Sequence, residues 1–90
     1  MRFDTIDRVT FRSVPEWYTE EERGKKPFTI RAVRKDELSR IALCDEIEIV
    51  NTDTHDSFFR AITFVRDVTD VLPITLHNGN DRLIIIQWEV

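Results

Sequence analysis

The residues best suited to chemistry lie in one short run, Gly24-Lys25-Lys26-Pro27-Phe28-Thr29-Ile30-Arg31. An ammonium, a hydroxyl and a guanidinium at Lys26, Thr29 and Arg31 suit contact with a phosphate or a carbonyl, and Lys26 could act as a base towards the Thr29 hydroxyl three residues on. Pro27 cannot donate to a strand ladder and drives Lys26 towards extended backbone, so the set opens a strand rather than a loose loop. A period of two then puts Phe28, Ile30 and Ala32 on one face and Thr29, Arg31 and Val33 on the other. The competing reading is plainer: a solvated lysine beside a proline, a threonine serving as a strand former, and an arginine paired with one of many acids.

Charge sharpens the contrast. Residues 23–35 hold six basic side chains and no acidic one, within a chain of net charge −4, so the remainder carries −10. Such a segment suits a phosphate or a carboxylate. The rest of the surface would repel a long nucleic acid and could instead engage a basic partner protein.

The elements that must position these groups fit one small domain spanning residues 1–90. With 41% apolar and 33% charged residues the chain reads as globular. One cysteine, Cys44, rules out an internal disulfide and fits a reducing cytoplasm; it reads as a small buried residue. His55 and His77 fall in turn-like segments without zinc spacing, and nothing in the pattern calls for a metal or a cofactor. No stretch approaches the roughly 20 apolar residues that span a bilayer, so a soluble cytoplasmic protein without a membrane partner is expected.

Residues 2–12 alternate as a first strand, with Val9 and Phe11 facing one way and Arg8, Thr10 and Arg12 the other. Ser13-Val14-Pro15-Glu16 has the form of a capping box, opening a helix over 14–23 that Gly24 ends. Its narrow apolar stripe is Val14, Trp17 and Tyr18, so it should lie on the surface and dock by its aromatic end. Trp17 and Tyr18 either anchor the helix or stack a base. Residues 36–43 suit a short helical turn or structured loop. Residues 46–50 form a strand with Ile47 and Ile49 inward, and 57–68 a longer one with Phe58, Ile62 and Phe64 sharing a face with Arg60 and Arg66. These two strands should pair as an antiparallel hairpin. Asn78-Gly79 suits a turn, and 83–90 a last, buried strand. The expectation is an α+β fold dominated by β: a small curved sheet or barrel with one surface helix after the first strand.

Pro15-Glu16-Trp17-Tyr18, then Gly24-Lys25-Lys26 running into Phe28-Thr29-Ile30-Arg31, then Cys44-Asp45-Glu46-Ile47 opening a strand, resemble the ASCH superfamily of PUA-like domains. The likeness is closest to a short, phage-associated branch of unknown function and runs over residues 14–90. It implies a β-barrel-like fold whose cleft, beside the helix and the Lys-to-Arg strand, binds RNA, a nucleotide or a modified nucleoside. Lys25, Lys26, Thr29, Arg31 and Trp17 would line that cleft. One group in the superfamily removes the acetyl group from N4-acetylcytidine with a lysine and a threonine, which match Lys26 and Thr29, and a glutamate. That glutamate has no counterpart here, because residues 72–82 occupy its interval without one, and Cys44 stands where the family has glycine. Asp67, Asp70, Glu16 and Glu89 are the replacement acids the sequence offers. Three readings follow: a nucleoside- or RNA-binding domain, a small amidohydrolase with Lys26 and Thr29 as the reactive pair, and an acidic protein-interaction module.

Overall fold

The computed structural model describes residues 7–71 and 81–90. In chain order these form β1 (Arg8–Ser13), α1 (Pro15–Glu22), β2 (Phe28–Arg34), α2 (Lys35–Ala42), β3 (Glu46–Asn51), β4 (Ser57–Asp67) and β5 (Asp81–Trp88). The strands build one sheet in the order β1-β3-β4-β5-β2. β1 joins β3 in parallel, and every other pairing is antiparallel, including the β3–β4 hairpin. Residues 2–6 of the expected first strand, His77 and the Asn78-Gly79 turn lie outside the described residues.

The fold is α+β and mostly strand, but its sheet is a curled half-barrel rather than a closed barrel. β1 and β2 are the two edges of that sheet, and among the described residues no ladder joins them. Closure would bring their backbones to about 4.8 Å. A side chain occupies the seam instead: the Arg31 guanidinium reaches across from β2, and its Nη1 donates to the Arg12 carbonyl at 2.7 Å. α1 spans the same gap, because it leaves β1 at one edge and returns the chain to β2 at the other.

Alternation fixes which side chains fill the concave side. Val9 of β1, Ile47 and Ile49 of β3, Phe58 of β4, Ile84, Ile86 and Trp88 of β5 and Val33 of β2 form one buried cluster. The segment over 36–43 folds as the two-turn helix α2, whose Ile41 is fully buried in the same cluster while Leu38 packs on it. Burial of such side chains contributes roughly 1.5–3 kcal/mol each. No helix among the described residues is long and apolar enough to cross a membrane.

Two local expectations are corrected. Ser13 does not cap α1: Val14 occupies the N-cap position without a side-chain bond, and the Ser13 hydroxyl turns inward to donate to Glu21. The acceptor role that a cap would use goes to Arg31, whose Nη2 donates to the same hydroxyl. In β4 the register shifts between Ile62 and Phe64. The extra residue swaps the faces beyond it, so Val65 packs on the core and Phe64 is exposed with Phe59.

Candidate functional site

α1 ends as the sequence requires. Gly24 adopts φ +80°, its N–H donates to the Glu21 carbonyl at 3.3 Å and the Lys25 N–H to the Glu20 carbonyl at 3.0 Å. This Schellman arrangement needs the left-handed residue that glycine supplies. A Cβ there would also stand 2.5 Å from Val90 Cγ1. The Lys26 N–H donates to the same Glu20 carbonyl at 3.1 Å, so both lysines leave the helix on a fixed path. They diverge from there: Lys26 is largely covered, whereas Lys25 is exposed and stands apart from the cavity described next.

That cavity, ≈ 530 Å³, opens where the seam between β1 and β2 passes beneath α1. Lys26, Thr29, Arg31 and Trp17 all line it, with Ser13 and Glu21. The Lys26 ammonium lies 4.8 Å from the centre of the Trp17 ring and 5.1 Å from that of Phe28, within reach of both π faces. Of the two aromatic residues on α1, Tyr18 is the anchor. It meets Phe58 edge-on at 5.2 Å, and burial pushes its phenol pKa up. Trp17 keeps 54% of its surface exposed and forms a wall of the cavity.

One continuous set of polar contacts runs through the floor. Lys26 Nζ donates to Glu21 Oε2 at 2.9 Å. Ser13 Oγ donates to Glu21 Oε1 at 2.7 Å. Arg31 Nη2 donates to Ser13 Oγ at 2.8 Å, and Arg31 Nε to Thr29 Oγ1 at 2.9 Å. Glu21 is wholly buried, and Thr29 and Ser13 are nearly so. Arg31 therefore has a structural duty: it holds both edges of the half-barrel and stacks over Phe11 at 5.1 Å. Burial pushes its pKa down, opposed by Glu21. One N–H on each terminal nitrogen stays uncommitted to these bonds.

Glu21 and Ser13 are the residues that sequence reasoning missed. The acids it singled out stand elsewhere. Asp67 is bound to Arg82 and Thr69 at the far end of β4, with Asp70 beside Arg82, and neither Glu16 nor Glu89 lines the cavity. A signal for Glu21 was present: it lies three residues after Tyr18 and four after Trp17, on the face by which α1 docks. With Arg12, Lys26 and Arg31 against Glu21, the lining carries more positive than negative charge in an acidic protein. Among the described residues no group of three or more His, Cys, Asp or Glu side chains is placed to hold a metal ion. Burial pushes the Cys44 thiol up, as befits a packed rather than a reactive cysteine.

Compared with protein-family models, curated sequences and solved structures, the chain matches none.

Proposed function

We propose that the chain is a nucleoside- or RNA-binding domain of the ASCH, PUA-like type, taking a nucleotide, a modified nucleoside or the end of a short single strand into the cavity beneath α1. The observation that carries this reading is that Lys26, Thr29 and Arg31 share one hollow with the exposed face of Trp17. An aromatic wall suits a base of any sequence. The excess of lysine and arginine suits a phosphate, and the acidic remainder of the protein limits the ligand to a short one. A cavity of ≈ 530 Å³ is in the range of small-molecule sites and larger than one base needs. Lys25, exposed and adjacent in sequence to Lys26 but outside the cavity lining, would contribute long-range attraction rather than contact. Calorimetric titration with nucleoside 5′-monophosphates and short single-stranded RNA over a range of salt tests the reading. Affinity that falls with salt and drops in Lys26→Ala supports it; a salt slope of zero removes the phosphate contact.

A second reading, an amidohydrolase acting on an acylated nucleoside, is favoured by one specific contact. Glu21 places a carboxylate 2.9 Å from Lys26 Nζ, supplying from α1 the acid that the expected interval lacks. Lys26 and Glu21 would manage the proton while the Thr29 hydroxyl faces the carbonyl. Chromatography of N4-acetylcytidine after incubation decides it. Turnover abolished in both Glu21→Gln and Lys26→Ala establishes the activity, and absent turnover leaves binding alone.

A further inference from the structure

The cavity runs along β2, whose residues Phe28, Thr29, Ile30 and Arg31 line it. β2 is an edge strand, and among the described residues it pairs only with β5. In an antiparallel ladder, residues alternate between turning both N–H and C=O to the partner and turning both away. The Trp88 N–H donates to the Pro27 carbonyl at 3.1 Å, which sets the phase. Thr29 and Arg31 then bond towards Ile86 and Ile84 opposite them, and Phe28, Ile30 and Ala32 turn their amides to the seam. Ile30 borders the cavity; Ala32, two residues on, does not.

The side chains of the cavity also leave one need unmet. Lys26 has N–H groups beyond the one given to Glu21, Arg31 has one on each terminal nitrogen, and Thr29 brings a hydroxyl, so donors are plentiful. The Glu21 oxygens already accept from Ser13 and Lys26. A ligand N–H facing β2 would find its acceptor in the Ile30 carbonyl, with the Ile30 N–H beside it to donate in return. Both are held by a strand, so no rotamer has to be ordered on binding.

Resting on the nucleoside reading above, we propose that the Ile30 main chain reads the hydrogen-bonding edge of the bound base. A ring N–H adjacent to a carbonyl, as at N3 of uracil and the carbonyl next to it, pairs with the Ile30 C=O and N–H as a neighbouring strand would. Lys26 and Thr29 then meet the remaining acceptors, and the ring plane lies against Trp17.

The test uses uridine 5′-monophosphate and its N3-methyl counterpart, titrated into the wild type, Ile30→Pro and Ala32→Pro. Proline at position 30 deletes an N–H that no ladder uses, a change edge strands tolerate. Ala32→Pro deletes the equivalent edge donor outside the cavity. The expected results are at least roughly tenfold weaker binding of the N3-methyl compound, a similar loss in Ile30→Pro, and wild-type affinity in Ala32→Pro. Equal wild-type affinity for the two nucleotides overturns the inference while leaving the nucleoside reading standing, and this comparison decides even if Ile30→Pro does not fold. Failure of every nucleoside 5′-monophosphate to bind overturns both.

Discussion

Glu21 Oε2 and Lys26 Nζ stand 2.9 Å apart, one on the last turn of α1 and the other two residues past the glycine that stops it. The carboxylate has no access to solvent, while the lysine side chain keeps 18% of its surface exposed. Removing the acid therefore strands the Ser13 hydroxyl and the Lys26 ammonium, which both donate to it. Glu21→Leu is expected to destabilise the protein by about 1–3 kcal/mol, the cost of leaving buried donors unpaired. Urea unfolding measures it, and a midpoint equal to wild type would show that the buried contacts add nothing.

Trp17 should separate binding from folding. It is largely exposed, and Tyr18 makes the contact that docks α1. Trp17→Ala is expected to shift stability by no more than about 0.5 kcal/mol, yet to weaken nucleotide binding by about 1–3 kcal/mol through lost stacking. Thermal melts and titrations on one preparation read both quantities. A variant that unfolds early but binds normally contradicts the assignment.

The helix stop is a backbone requirement. At φ +80°, any residue with a Cβ incurs the left-handed penalty, and the Val90 side chain must also move. Gly24→Ala is expected to cost about 1–2 kcal/mol and to loosen the path of Lys25 and Lys26. Gly24→Asn, better tolerated in that conformation, should recover part of the loss in a denaturant titration.

Acid sensitivity should trace to the other end of the sheet. Hydrogen bonds from Arg82 and then Thr69 hold the Asp67 carboxyl at about 2, below its ordinary 3.8. The folded state thus binds this proton less readily than the unfolded chain. The resulting stabilisation is complete above about pH 4 and is lost as the pH falls through about 2. Asp67→Asn is expected to be less stable than wild type at neutral pH, with the gap narrowing across that window. Unfolding midpoints at intervals between pH 2 and 6 would show it, and a constant gap would rule it out.

Much of the frame was legible because strand alternation is a local signal. Val9, Ile47 and Ile49 turned inward as their period of two requires, and Gly24 ended α1 as a residue free to adopt positive φ. What escaped the sequence depended on contacts distant along the chain. The parallel pairing of β1 with β3 needs the whole intervening α1-β2-α2 segment to be placed first. In β4, Phe58, Phe59 and Phe64 fit either phase, so nothing local marked the shift past Ile62. Ser13 offered a good cap, and only the docked position of Glu21 reveals a better use for its hydroxyl. Glutamate is so commonly solvated that its place on the aromatic face of α1 carried little weight against its charge. Thr29 and Arg31 share a face by their spacing of two; the place of Lys26 beside them was implied by the family resemblance, and the carboxylate next to Lys26 by neither.

The open seam makes the cavity sensitive to how tightly the whole sheet bends. Its two sides belong to strands at opposite ends of a five-strand arc, so a slight change in the twist between each neighbouring pair accumulates into a change of width at the mouth. A guest touching both margins would act as a brace on that curvature. Occupancy should then be felt as slower amide exchange along β1 and β2, far more than at the β3–β4 centre, which stays paired on both sides whether the mouth is wide or narrow.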